Sequence, residues 1–249
     1  MTPEETAAAL VSILGVQFQL AASLICLGLG LTVRRGLPDK PWLPWWAASY
    51  GAVAVAVSAI LVRYYLRSLL PLGLLGVHES QLVALLYATY AGAKLAFLFC
   101  LLAGTWLFAT RQPISRVGVG SSLALIGLVG LLFVLAPADL DPLMAWQSGF
   151  AIPIFLACAW LLLTAPLERR TRGSRLLAIA CVLLAGLWTL YIPGFLHLAD
   201  RSATTAGSVL RWITGHNSYI DVLFEFLLGF GMILAVLDDV FREAEQARA

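Results

Sequence analysis

The side chains best suited to chemistry are ionisable residues that lie inside long apolar runs. Lys94 lies about 14 residues into one such run, and Tyr87 and Tyr90 precede it on the same helical face. A charge at this depth in lipid costs several kcal/mol, so Lys94 is a candidate counter-charge for an acidic ligand or a proton-linked switch. The alternative is a structural cation that tyrosines, carbonyl groups or a carboxylate hold in place.

Two further pairs of charged residues have the i, i+4 spacing that puts both members on one face of a helix. Arg63 and Arg67 form one pair, and Asp221 and Glu225 form the other. If their two helices are neighbours, the pairs predict an interhelical ladder of salt bridges. The alternative is that one member of the ladder is free to bind a charged ligand.

An aromatic stripe follows one face of the run that ends near Pro193. Trp188, Tyr191 and Phe195 form this stripe, and with Trp146 and Gln147 they could wall an outward-facing pocket. Helix packing is the simpler interpretation of such a stripe. We carry forward a set of ligand-binding or switch candidates, which comprises Arg63, Arg67, Tyr87, Tyr90, Lys94, Trp188, Tyr191, His197, Asp221 and Glu225.

Sequence signatures of catalysis are missing from the chain. It contains no G-x-S-x-G, no H-E-x-x-H and no glycine-rich phosphate loop. The histidines His78, His197 and His216 include no H-x-x-x-H pair on a single span. We therefore expect no catalytic residue, no metal site and no cofactor in this chain, so that any enzymatic activity would reside in a domain outside it.

The composition of the chain indicates whether these residues lie in water or in a membrane. Hydrophobic residues make up 61% of the 249 residues and charged residues only 12%, with a mean hydropathy of +0.89. Soluble domains carry about 25% charged residues, so this chain is predicted to be a membrane protein. It has no basic tract outside short loops, which argues against nucleic acid as a partner. The four cysteines all fall within apolar runs, which is typical of small packing residues.

The apolar runs are long and continuous, as transmembrane helices require. The sequence predicts an all-α membrane protein with a seven-transmembrane-helix bundle. Prolines or charged runs separate the spans, which we place at residues 7–33, 45–70, 81–110, 117–137, 143–165, 175–198 and 219–240. The segment between the last two spans contains SVLRWIT, which could form a short interfacial helix.

The distribution of basic residues predicts the orientation of the bundle. With the N-terminus outside, the cytoplasmic segments hold eleven Lys and Arg residues, and the outer segments and outer span ends hold four. The positive-inside rule then favours an outer N-terminus and a cytoplasmic C-terminus. High usage of Ala, Leu and Arg, with only two lysines, is typical of a GC-rich bacterial genome. We therefore expect a multi-pass protein of a bacterial inner membrane, surrounded by lipid.

The last predicted span runs into a charged helix without a proline or a capping glycine. Apolar residues continue there with a spacing of three or four, while charged residues occupy the other face of the helix. The apolar residues are Leu237, Val240, Phe241, Ala244 and Ala247. The charged residues are Asp238, Asp239, Arg242, Glu243 and Glu245. This pattern favours a short two-helix coiled coil. It predicts a homodimer through the C-terminal helix.

Together, these features resemble a known class of proteins. Seven spans, a G-x-G-M stretch (Gly229, Gly231, Met232) and an acidic pair leading into a charged helix resemble the membrane sensor module of bacterial seven-transmembrane-helix receptors. Sequence-level likeness is confined to about the last 30 residues, while the architecture matches throughout. In that class the module feeds a cytoplasmic histidine kinase or diguanylate cyclase domain. The resemblance implies such an output domain, either in a longer chain or in a separate partner.

The preferred hypothesis is therefore a signal-receptor input module. Residues 1–240 would form the sensor domain and residues 241–249 a signalling connector. An unknown small molecule or a membrane state would be sensed in the outer half, and the last helix would transmit the change. The alternatives are a small transporter or channel, and a structural subunit of a larger membrane complex.

Overall fold

A computed structural model describes residues 3–69, 79–135, 140–196 and 205–248, and all regular structure within these ranges is helical. Eight α-helices follow one another, with one 3₁₀ turn at Leu167–Arg169 between the fifth and the sixth. The helices are α1 (Pro3–Gly36), α2 (Leu43–Leu69), α3 (Glu79–Thr110), α4 (Arg116–Leu135), α5 (Leu140–Thr164), α6 (Arg172–Phe195), α7 (Thr205–Gly215) and α8 (Asn217–Gln246).

Six of these helices, α1, α2, α3, α5, α6 and α8, are long and apolar enough to cross a membrane. This confirms the expectation of an all-helical, multi-pass membrane protein. Helix α4 coincides with the remaining predicted span, but its described apolar stretch, Arg116–Leu132, is shorter than the other six. Helix α7, which spans Thr205–Gly215, contains the SVLRWIT segment, so the predicted short helix is present there.

The six long helices form a closed ring. Going around it, each helix packs against the next in the order α1, α2, α3, α5, α6, α8, and α8 returns to α1. Helix α4 lies outside the ring against α3, while α7 packs against α6 and α8. The interior of the ring is therefore lined by residues from all six helices.

The two ends of the ring are named here after the acidic residues of α8 that lie near them. At the Asp221 end, the Tyr219 hydroxyl donates to the Val11 carbonyl at 2.9 Å and the Gln17 amide donates to the Tyr65 hydroxyl at 2.7 Å. At the Asp239 end, the loop after α1 and the end of α3 meet the last turns of α8 through Lys40 and Arg111.

Glycines allow α8 to approach its neighbours closely. A Cβ on Gly173 of α6 would lie 2.1 Å from the Ala235 backbone nitrogen, and one on Gly229 would lie 2.9 Å from the Tyr50 hydroxyl. Without hydrophobic force between helices in lipid, such close backbone packing is a main source of stability. The glycines of the G-x-G-M stretch therefore act as contact points of α8 within its own bundle.

The structure corrects the expected position of Asp239. The coiled-coil pattern put this residue on a charged face beyond the membrane, but only 6% of it is exposed. The cations of Lys40 and Arg111 reach its carboxylate, so burial is compensated inside the bundle. Leu237 and Phe241 of the predicted apolar seam are exposed, and dimerisation through them stays a prediction.

Candidate functional site

The ring encloses a polar cavity of about 160 Å³ at its Asp221 end. All six ring helices and α7 contribute to its wall. Among its polar lining residues are Gln19, Tyr64, Tyr90, Lys94, Asn217 and Asp221. An enclosed cavity with a few convergent polar groups is the usual form of a small-molecule site, so this cavity is the candidate functional site.

Lys94 brings a positive charge to the cavity from the middle of α3. Only 5% of the residue is exposed, and within the described part of the chain its Nζ forms neither a hydrogen bond nor an ion pair. The Nζ lies 6.0 Å from the centroid of the Trp188 ring, at the outer limit of a cation–π contact. A buried ammonium needs compensation, which here must come from the carboxylates of α8 and from whatever fills the cavity.

Asp221 brings a negative charge from the second turn of α8, and 7% of it is exposed. The Tyr191 hydroxyl of α6 donates to its Oδ1 at 2.9 Å. No other described side chain donates a hydrogen bond to this carboxylate, although an acidic group has room for about four donors. Asp221 therefore keeps most of its accepting capacity available to the cavity.

Glu225 lies one turn deeper on the same face of α8, and unlike Asp221 it is well satisfied. The Gln19 amide of α1 donates to Oε1 at 2.6 Å, and the Ser23 hydroxyl donates to Oε2 at 3.1 Å. The Tyr50 hydroxyl of α2 donates to the Glu225 backbone carbonyl at 2.8 Å. These contacts join α8 to α1 and α2 in the interior of the ring.

The predicted salt-bridge ladder between Arg63 and the carboxylates of α8 is wrong. The Arg63 guanidinium instead lies over the Tyr87 ring, with 4.9 Å between its Cζ and the ring centroid. Helix α3 is the neighbour of α2 here, whereas α8 faces α1 and α6. Among the described side chains, hydroxyl and amide groups rather than arginines donate to the carboxylates of Asp221 and Glu225.

The other predicted residues fall into three groups. Tyr90 lines the cavity and donates its hydroxyl to Met144 Sδ at 2.8 Å, while Tyr87 is buried beside Arg63. Trp188 and Tyr191 are buried side by side, with 5.8 Å between their ring centroids. Both also contact charged residues of the site, since Trp188 lies beside Lys94 and Tyr191 donates to Asp221. The side chain of Arg67 and the whole of His197 lie outside the described residues.

Sequence reasoning missed the partners of Glu225. Gln19 and Ser23 are fully buried on α1, four residues apart, within an otherwise apolar run. Polar residues with that spacing in a membrane helix are the signal that could have identified them, since lipid offers them no partner. Gln147, expected in a pocket wall, is 1% exposed, and neither its amide nitrogen nor its oxygen has a partner among the described residues.

A second polar cluster, which we call the clamp, fixes the Asp239 end of α8. Lys40 Nζ lies 2.7 Å from Asp239 Oδ2 and also pairs with Glu243, and Arg111 donates to both Asp239 oxygens at 2.9 and 3.0 Å. The Arg111 guanidinium stacks over Trp42 at 3.7 Å. From the sequence, Lys40 and Arg111 were predicted only to be basic residues of the cytoplasmic segments. One acidic residue of α8 therefore holds both the α1–α2 loop and the end of α3.

The hydrogen bond from Tyr191 to Asp221 gives a first prediction. We expect Tyr191→Phe to lower the free energy of unfolding by about 1.5–3 kcal/mol, since a buried carboxylate loses its one described donor. Equilibrium unfolding in mixed detergent micelles measures this loss. Tyr219→Phe is the matched control: its half-buried hydroxyl donates to a neutral carbonyl, so its loss should be about 1 kcal/mol or less. Equal losses in the two variants would contradict a special role for the Asp221 contact.

The arrangement can hold a charged or polar ligand. The clamp and the cavity are joined by one continuous helix, α8. Comparison of the chain with protein-family models, with curated proteins and with solved structures gave no match.

Proposed function

We propose that this protein is the input module of a transmembrane signal receptor. A ligand or a membrane state acts on the cavity at the Asp221 end, and α8 carries the resulting change to a cytoplasmic output domain of the kinase or cyclase type, in cis or in trans. The single observation that carries this proposal is that α8 alone bears both Asp221, the carboxylate that lines the cavity, and the acidic residues of the clamp. Asp221 and Asp239 are separated by about 27 Å along one helix.

The proposed topology has seven spans, with the Asp221 end outside. Charge supports it, because the Asp239 end carries most of the described basic residues, among them Lys40, Arg111 and Arg175. The path of α4 supports a seventh crossing. A Cβ on Gly92 of α3 would lie 3.7 Å from Ile126, and one on Gly130 would lie 4.0 Å from the Ala88 carbonyl, so α4 runs antiparallel to α3.

Transmission through α8 requires two packings of the bundle that a ligand binds unequally. Near the cavity, α8 contacts α1 through Gln19 and Ser23 and α6 through Tyr191. A ligand that competes for the Asp221 carboxylate changes the balance between these contacts. A small shift or rotation of α8 then moves Asp239 and so changes its ion pairs with Lys40 and Arg111.

A small transporter or channel is the runner-up, and the cavity on the axis of the ring is the observation that favours it. A transport path needs polar residues along its length. Between Glu225 and Asp239, however, the buried residues of α8 are all apolar or glycine: Leu228, Gly229, Gly231, Met232, Ala235 and Val236. This barrier favours a sensor over a path.

A distance measurement tests the sensor proposal in lipid nanodiscs. Spin labels at Val117→Cys on α4 and Phe241→Cys on α8 occupy exposed sites near the Asp239 end, in a background where the half-buried Cys100 is Ser. Replacing Lys94 with Met should shift the mean label distance by about 2 Å or more, because the charge balance around Asp221 changes.

The matched control is Gln17→Leu, which removes a polar contact at the same end but outside the cavity. It should leave the distance distribution unchanged. If the Lys94→Met protein is folded and keeps the wild-type distribution, the cavity does not communicate with the clamp and the sensor proposal fails.

A further inference from the structure

We propose that the cavity binds a small zwitterion of amino-acid size, with the carboxylate of the ligand facing Lys94 and its ammonium group facing Asp221. The inference rests on the proposed function, since it names the ligand class for the same cavity.

The two charged residues that line the cavity have unused hydrogen-bonding capacity. Lys94 is 5% exposed, lines the cavity and has no described hydrogen-bond partner, so its three N–H donors are available. Asp221 also lines the cavity and accepts from one described side chain, Tyr191. Buried polar groups in proteins are almost always satisfied. A ligand with one acceptor group and one donor group would satisfy both residues together.

The lining of the cavity carries both a positive and a negative charge. An anion alone would meet Lys94 but would be repelled by Asp221 and by Glu225 one turn deeper. A cation alone would meet Asp221 but would be repelled by Lys94, which has no described ion-pair partner. Glu225 already accepts from Gln19 and Ser23 and does not need the ligand. A zwitterion places an opposite charge beside Lys94 and beside Asp221, the two charged lining residues that form no described salt bridge.

The size and the position of the cavity suit a small ligand. A volume of about 160 Å³ is close to the roughly 150 Å³ of an engineered protein cavity that holds one benzene molecule. This suits a ligand of a few heavy atoms, such as an amino acid with a short chain. The cavity reaches from Lys94 to Gly215 and Asn217, where α7 meets α8 at the end of the bundle.

Isothermal titration calorimetry on the full chain in nanodiscs tests the proposal. The probes are glycine, β-alanine and γ-aminobutyrate, whose charges lie at increasing separation, and acetate and ethylammonium, which each carry one of the two charges. We expect at least one zwitterion to bind at millimolar concentration or below, and both single ions to bind at least tenfold more weakly. Lys94→Met and the isosteric Asp221→Asn should each weaken zwitterion binding about 10- to 100-fold.

Gln17→Leu is the matched control, because it removes a polar contact at the same end of the bundle but outside the cavity. It should leave the zwitterion affinity unchanged. If Lys94→Met does not fold, Asp221→Asn decides the test. The proposal is overturned if no zwitterion binds, if acetate or ethylammonium binds as tightly as the zwitterions, or if the folded variants keep the wild-type affinity.

Failure of this inference can be told apart from failure of the sensor proposal. If a zwitterion binds but Lys94→Met leaves the distance between labels at positions 117 and 241 unchanged, the proposed ligand class stands and the sensor proposal fails. A distance change in Lys94→Met without zwitterion binding would keep the sensor and remove the ligand class.

Discussion

Replacing Asp239 with Asn is expected to lower the free energy of unfolding by about 3 kcal/mol, because two cations then lose the carboxylate that compensates their burial. The Lys40 side chain is 8% exposed and that of Asp239 9%, while that of Arg111 is 29% exposed. Lys40 retains Glu243, whose side chain is 57% exposed, so the loss should lie near the lower end of the range for buried ion pairs. Equilibrium unfolding in mixed detergent micelles, followed by tryptophan fluorescence, measures it.

The control for this prediction is Glu245→Gln, an exposed position on the same helix, which should change stability by less than about 0.5 kcal/mol. A double variant, Lys40→Met with Asp239→Asn, should be more stable than the sum of the two single losses predicts, by about 1 kcal/mol or more. If Asp239→Asn behaves like Glu245→Gln, the clamp contributes nothing to the fold.

The clamp also explains why one end of α8 is held more firmly than the other. At the Asp239 end, the charges of α8 meet full opposite charges of Lys40 and Arg111. At the Asp221 end, the carboxylates of α8 accept hydrogen bonds from neutral hydroxyl and amide groups, and Lys94 forms no salt bridge with them among the described residues. The Asp221 end is thus the end where a ligand can add the largest new interaction.

Much of the fold could be predicted because lipid imposes strong constraints on sequence. Long apolar runs bounded by prolines and arginines predict helices and their boundaries, and each of the seven predicted spans coincides with a helix. The order of the helices around the ring could not be predicted, because an apolar face turned to lipid resembles one turned to another helix. That missing order made the ladder from Arg63 to Asp221 reasonable from the sequence and wrong in the structure.

The charged residues of the candidate site could be predicted from the sequence, but their hydrogen-bond partners could not. Lys94, Asp221 and Glu225 are conspicuous because charges are rare in membrane spans, and the structure brings all three into the interior of the ring. Their partners were not conspicuous, since Gln19, Ser23 and Tyr50 are neutral residues. Asp239 was assigned to a coiled coil because its spacing suits a charged helix face, and the cations that bury it lie about 130 and 200 residues away in the chain.

The contact between α6 and α8 yields the second large prediction. We expect Gly173→Ala to destabilise the protein by about 3 kcal/mol, near the top of the usual range for overpacking. The added Cβ would lie 2.1 Å from the Ala235 nitrogen and 2.4 Å from the Leu234 carbonyl carbon, and backbone atoms cannot move aside as a side chain can. The hydrogen bond from the Gly173 N–H to Asp238 would be stretched as the helices separate.

Gly186→Ala is the matched control on the same helix, since nothing lies within 4 Å of a Cβ built there. It should be neutral or stabilise α6 by up to about 1 kcal/mol through its better helix propensity. Because Gly173 lies beside the clamp, its alanine variant should also change the distance between labels at positions 117 and 241, while Gly186→Ala should not. Similar stability for the two alanine variants would mean that α6 and α8 do not approach as closely as their backbones indicate, and a rigid coupling of α8 to α6 would then have no basis.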